Sequence, residues 1–206
     1  MEIKNCPVCN NSNFSNHIES KDFSVSKESF LIVKCDKCDF HFTNPRPSDE
    51  NLGKYYMSDH YISHNNTSRT FFEKVYQLVR KFATNGKFSL ISSFFSSGRI
   101  LDVGCGTGDF LNKCKRKNWE TKGIEPSEIA RKQAINNHKL DVEESADLSR
   151  LEGEFDIITM WHVLEHVPSL NETLIQFNQL LSENGKIIIA VPNLKSYDAK
   201  YYKKYW

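Results

Sequence analysis

Three glycines spaced two apart follow a short apolar run in Arg99-Ile100-Leu101-Asp102-Val103-Gly104-Cys105-Gly106-Thr107-Gly108. Glycine at these positions lets the backbone turn tightly after a buried strand and approach a ligand closely, while the helix that follows opens with N–H groups that have no partner within the helix. A second acid, Glu125, stands 21 residues after Gly104 at the end of Trp119-Glu120-Thr121-Lys122-Gly123-Ile124-Glu125. A carboxylate there is placed to accept hydrogen bonds from ribose hydroxyls. The pair of features predicts a cradle for a nucleoside-containing ligand.

The second constellation is Cys6-Pro7-Val8-Cys9 and Cys35-Asp36-Lys37-Cys38, separated by 25 residues. Each C-x-x-C forms a tight knuckle, and two knuckles close a tetrahedral four-thiolate shell that suits zinc. A redox dithiol or an iron centre are the alternatives. A closed shell at Cys6, Cys9, Cys35 and Cys38 leaves no open position, so the metal's expected role is structural. Lys34 and Lys37 flank the second pair and are expected to favour thiolates. Phe30-Leu31-Ile32-Val33 reads as a strand leading into the second knuckle, with a hairpin between the pairs. Cys105 lies inside the glycine loop, where a small side chain is needed, and Cys114 in the next helix; neither is expected to react.

A third group, His162, Glu165 and His166, follows the apolar run Phe155-Asp156-Ile157-Ile158-Thr159-Met160-Trp161. A neutral imidazole at His162 could act as a general base for a hydroxyl. Glu165 and His166 more simply fasten their loop by hydrogen bonds.

These groups need elements to hold them. At 206 residues the chain can bury one α/β core and carry a small module. A net charge of +1 argues against nucleic acid or an anionic membrane as partner. With no apolar leader and no run of membrane-spanning length, the expected location is the cytoplasm. Texture divides the chain into a zinc-ribbon-like module over 1–43, a linker and helical region over 44–97, and an α/β domain over 98–206. In the middle part Ser48-Asp49-Glu50 can cap a short helix, and residues 69–83 repeat apolar groups at helical spacing. Strands are expected over 99–103, 120–125, 139–143, 155–160 and 186–191. Helices are expected over 108–117, 127–137, 146–151 and 169–182. Such βα units require a parallel sheet with right-handed crossovers and a ligand at the carboxyl ends of its strands.

Asp102-Val103-Gly104-Cys105-Gly106-Thr107-Gly108 follows a D-x-G-x-G-x-G form rather than the G-x-G-x-x-G of dinucleotide enzymes. With Gly123-Ile124-Glu125-Pro126-Ser127, Phe155 to Val167 and Gly185 to Asn193, it resembles the class I S-adenosylmethionine-dependent methyltransferases over residues 98–194. The resemblance implies a Rossmann-like sheet in the strand order 3-2-1-4-5, with S-adenosyl-L-methionine as cofactor. It implies that Asp102 supports the loop meeting the methionine part, that Gly104, Cys105 and Gly106 form the cradle, and that Glu125 takes the ribose. Ser145 and Ala146, with Asp147, occupy the stretch that meets adenine, and Trp161, at the turn where acceptor meets methyl group, is expected to bind the cofactor. His162-Val163-Leu164-Glu165-His166 also resembles the E-x-x-E-H segment of O-methyltransferases that hold a divalent ion, with His162 in place of the first acid. The helical region resembles a lid.

Zinc-knuckle modules ahead of such a domain resemble bacterial sugar C-methyltransferases, which implies a small molecule or a nucleotide-linked sugar as acceptor. Family members add a sixth and seventh strand, so this chain is expected to be a fragment of a longer protein. Ile187 to Val191 would then be an edge at which copies could self-associate. Two other readings remain from the residues: an NAD-type oxidoreductase, and a cofactor-binding fragment without turnover.

Overall fold

A computed structural model describes residues 1–23, 25–55, 71–144 and 148–205. Tyr56, His60, Tyr61, His64 and Ser145 to Asp147 lie outside the described residues. The chain forms two compact units, Met1–Asn65 with Pro192–Trp206, and Asn66–Val191.

In the first unit, β1 (Phe14–Lys21), β2 (Ser29–Cys35) and β3 (His41–Thr43) make an antiparallel sheet in sequence order. The expected hairpin is β1–β2. Asp22 closes its turn by accepting from the backbone N–H groups of Val25 and Ser26 and from the Ser26 hydroxyl. Phe14 meets Phe42 edge-on at 5.1 Å, and Phe40 stacks near Phe42 at 5.9 Å. The tail segment carries a short helix, Tyr197–Tyr202, capped by the Ser196 hydroxyl. Beyond it, Lys204 accepts a hydrogen bond from the Ser20 hydroxyl through its carbonyl, and Tyr205 lies 5.6 Å from Phe23.

The second unit opens with α1 (Phe71–Ser92) and then alternates β4 (Arg99–Val103), α2 (Asp109–Lys115), β5 (Glu120–Ile124), α3 (Glu128–His138), β6 (Asp141–Glu143), β7 (Phe155–Trp161), α4 (Leu170–Leu180) and β8 (Leu181–Ala190). The strands pair in parallel in the order β6-β5-β4-β7-β8, which is the 3-2-1-4-5 order expected from the sequence. A parallel sheet is covered on both faces, so its central strands read as unbroken apolar runs. Phe155, Ile157, Ile158, Thr159 and Met160 of β7 are accordingly buried. Ile100, Leu111, Cys114, Trp119 and Ile157 centre the core on one face, and Leu101, Ile124, Ile158, Met160 and Phe177 the other.

Most boundaries fall within two residues of expectation, and three elements depart in extent or type. The helix over 69–83 runs on to Ser92, because Phe88 and Ile91 pack into the core and carry the serine-rich stretch into the helix. β8 begins at Leu181, opposite Phe155, and slips register before Lys186 pairs with Ile157. The helix over 146–151 is described only as a short 3-10 turn, Leu148–Arg150. Among the described residues no helix is long and apolar enough to cross a membrane.

Candidate functional site

The carboxyl ends of β4, β5 and β7 converge on the glycine loop. Gly104 has φ of +73°, and a Cβ there would lie 2.4 Å from Val163 Cγ2, so any other residue would strain the backbone and displace Val163. Gly106 also has positive φ, +55°, but a Cβ there would meet nothing within 4 Å. The first glycine therefore lets the loop pass under Val163, and the second leaves open space on the loop's other side. The N–H groups of Gly104 and Cys105 both donate to the Ile124 carbonyl at 2.8 and 3.0 Å, tying the loop to β5. The Cys105 side chain packs in the core, close to Gly123, and burial with the charges of Asp102 and Glu125 drives its thiol far above the usual range. Only its backbone can serve a ligand. Burial also pushes Cys114 up to about 12, in keeping with an inert thiol.

Glu125 is buried at the end of β5, where Oε2 accepts from Gly106 N and Oε1 from Ser127 N, each at 2.8 Å. Arg131 donates to the carbonyls of Glu125 and Pro126 and fixes the turn. Each carboxylate oxygen keeps a lone pair for a further donor, which is what a ribose diol supplies.

Asp102 is buried at the end of β4 and accepts a 2.6 Å hydrogen bond from Thr159 Oγ1 on β7. Burial pushes its carboxyl up to about 7, with Glu125 adding to the rise while Thr159 and the Lys87 ammonium oppose it. Lys87 was not singled out from the sequence. It comes from α1, its Nζ lies 4.6 Å from the centre of the Trp161 ring, and burial lowers its pKa against the pull of Asp102. Trp161 is held edge-on against Phe110 at 5.6 Å, and its Nε1 is buried with no hydrogen-bond partner among the described residues. Two turns away on the same helix face, Arg80 pairs with Asp109 and donates to Thr107 Oγ1 at 2.6 Å. Arg80 and Lys87, seven apart, are the sequence signal that α1 turns a cationic face to the loop.

These groups fit S-adenosylmethionine by their donor chemistry. Asp102 and Lys87 match the ammonium and carboxylate of an amino acid, Glu125 matches a diol, and the open side of Gly106 and the orphaned Trp161 N–H leave room and a donor between them. Ser145 and Ala146 lie outside the described residues. His162 follows β7 with φ of +60° and donates its N–H to the Ala190 carbonyl at 2.9 Å. Its imidazole is 65% exposed, with Nδ1 3.8 Å from Glu165 Oε1. Glu165 and His166 sit in a 3-10 turn, Leu164–His166.

In the first unit, the sulfurs of Cys6, Cys9, Cys35 and Cys38 all lie within 4.8 Å of one another, the only group of three or more candidate ligands among the described residues. Cys6 and Cys38 are 3.6 Å apart, and Cys9 and Cys35 3.5 Å. A tetrahedral zinc with bonds near 2.3 Å asks for sulfur separations of about 3.8 Å. Burial raises the Cys35 thiol, but N–H groups of Cys38 and Lys37 and the neighbouring thiols outweigh it and bring it down to about 6. Lys34, expected to help, instead bonds Asp39 at 2.8 Å.

A methyltransferase-domain family profile matches residues 65–206. Among curated relatives, the ubiquinone biosynthesis O-methyltransferase of Nitrosococcus oceani is 34% identical over 105 residues, 46% of this chain and 44% of that protein. The mitochondrial enzyme of the same name from Schizosaccharomyces pombe is 30% identical, over 47% of this chain and 38% of its own length. The matched stretch thus spans less than half of these relatives. Among solved structures, the plantazolicin methyltransferase BpumL in complex with SAH superposes with a TM-score of 0.51 at 23% identity, covering 62% of this chain and 54% of that one, a likeness of fold.

Proposed function

This chain belongs to the methyltransferase-domain family, and we propose that it transfers the methyl group of S-adenosylmethionine to a small-molecule acceptor. The observation that carries the reading is Glu125, buried at the end of β5 with both oxygens anchored on the glycine loop and the next helix. When bound, the cofactor supplies an electrophilic methyl on a sulfonium. Asp102 and Lys87 orient the amino-acid end, Glu125 holds the ribose, and the loop over Gly104 and Gly106 sets the depth of the ligand between them. In-line displacement asks chiefly for a fixed approach distance, so positioning supplies most of the acceleration. His162, exposed at the end of β7, takes the proton from the acceptor as the new bond forms.

Relatives named as O-methyltransferases support a hydroxyl acceptor; the four-cysteine module supports the finer reading of a nucleotide-linked sugar. In this proposal Cys6, Cys9, Cys35 and Cys38 hold one structural zinc ion, and the free thiols suit a reducing, cytoplasmic setting. Calorimetric titration with S-adenosylhomocysteine, and separately with NAD, tests the cofactor assignment. Binding of the first and not the second is expected. Tighter binding of NAD would replace the reading with an oxidoreductase, and an acceptor panel run with labelled cofactor then tests turnover.

A further inference from the structure

An ordinary surface helix turns one apolar stripe inward; α1 packs Phe88 and Ile91 into the core in that way and carries a second apolar stripe on its opposite side. Here the inward side carries Arg80 and Lys87, committed to Asp109, Thr107 and Trp161. The outward side is mostly apolar: Val75, Leu78, Val79, Phe82 and Leu90 are between 44% and 67% exposed, with Ser89 as the polar residue among them. At about 100° per residue these five, with Ala83 and Gly86, fall within about 140° of the helix surface and run for about 22 Å. No charged residue falls in that sector. Both Ala83 and Gly86 are exposed, and a Cβ on Gly86 would meet nothing within 4 Å.

We propose that this face of α1 pairs with the same face of a second copy of the chain, antiparallel about a two-fold axis between Phe82 and Ala83. The stripe is self-complementary in that arrangement. Residue i meets the residue that brings the two numbers to 165, so Phe82 sits against Ala83 of the second copy, Val79 against Gly86, and Val75 against Leu90. Large side chains meet small ones in the middle of the seam, where the helix axes must come within about 8–10 Å, and apolar groups meet at both ends. A two-fold contact uses one patch twice, and charge depletion at its centre is the composition such interfaces show. The stripe amounts to a few hundred Å² on each copy, the size at which an exposed apolar patch on a soluble chain marks an interaction site. With the polar flanks around it, the two copies together approach the roughly 1,200 Å² at which specific interfaces begin. This surface is distinct from the β8 edge.

Light scattering of the 206-residue chain over about 1–100 µM tests the pairing. A mass of twice the chain is expected, and Phe82→Glu should raise the dimer dissociation constant at least about 100-fold, because two buried aromatic side chains become two buried carboxylates beside the two-fold axis. Phe82 is 67% exposed, so the variant should keep the wild-type circular dichroism and bind S-adenosylhomocysteine within about twofold of wild type. Gly86→Leu, which fills the seam without adding charge, should weaken the dimer as well. A wild-type monomer at 100 µM overturns the proposal, whether or not it floats with phosphatidylglycerol vesicles, and so does a dimer that survives both substitutions.

Discussion

The two units of this chain bury very different amounts of apolar surface. In Met1–Asn65 with the tail, the buried apolar side chains among the described residues are Cys6, Val33 and Cys35, and two of these belong to the sulfur cluster. In Asn66–Val191 they fill both faces of a five-stranded sheet. A sheet of three short strands with one buried valine has too little apolar surface to offset the entropy of ordering its chain. The sheet unit has that surface without help. With the proposed zinc and cofactor in place, the contrast says where each unit would be fragile: the first at four sulfur atoms, the second at positions where backbone and ligand come close.

The sharpest break of that contrast is metal removal. About one zinc per chain is expected by elemental analysis, and chelation should unfold residues 1–43 while β4 to β8 keep their amide-exchange protection. Apparent zinc-binding energies of about 10–16 kcal/mol make this the largest effect. Protection that persists in the first unit without metal would show that its strands stand alone.

Within the sheet unit, Gly104→Ala should cost about 3 kcal/mol in thermal or denaturant unfolding, since it combines positive φ with a 2.4 Å collision against Val163. Gly106→Ala meets no neighbour. It should cost about 1 kcal/mol in stability and show its main loss in ligand affinity. Equal stability losses at the two glycines would erase the distinction between a packing glycine and a cradle glycine.

His162→Ala should lower turnover about 100-fold while S-adenosylhomocysteine affinity stays within about twofold, once an acceptor is in hand. Parallel losses in both would make the residue structural. Glu125→Ala should weaken S-adenosylhomocysteine more than about tenfold by calorimetry, because the diol loses a charge-assisted partner. Wild-type affinity in that variant would remove Glu125 from the site.

The smallest effect is a pH dependence. Burial raises the Asp102 carboxyl to about 7, so below that pH the free protein holds a proton that must leave before a ligand ammonium can pair with it. Affinity for S-adenosylhomocysteine should fall by up to about tenfold per pH unit below 7 and level off above it, and Asp102→Asn should flatten the profile. The stability term has the opposite sense. A carboxyl whose folded pKa lies above its unfolded value of about 3.9 favours the folded state at low pH, and that contribution is lost as pH rises from about 4 to about 7. Lys87→Met should shift the affinity profile to higher pH, since Lys87 opposes the rise.

Much of the sheet was legible because its signals are local. Ile100 to Val103 and Ile157 to Met160 are short apolar runs, each bounded by turn residues, and alternating strand and helix leaves few ways to order a parallel sheet. The boundaries that moved did so for tertiary reasons: Ile91 is fully buried against the sheet, which holds the serine-rich end of α1 in helix, and Leu181 pairs with Phe155 although Gly185 follows. Among the cysteines, spacing alone placed the four sulfurs together, whereas the partner of Lys34 depended on where the knuckle turned Asp39.

By itself the sequence determined the glycine loop, the acid that answers it at Glu125 and the four-sulfur cluster, because each shows as a regular spacing: glycines two apart, an acid one helix and one strand further on, and cysteines paired three apart. Only the tertiary structure decided that Lys87 joins Asp102 and Trp161, that Gly104 is closed by Val163 while Gly106 is open, and that α1 turns Arg80 and Lys87 inward beside Phe88 and Ile91 and leaves a second apolar stripe outward. Those outcomes depend on which face of a helix meets the sheet, and that choice is made by packing across dozens of residues of chain, where no local pattern records it.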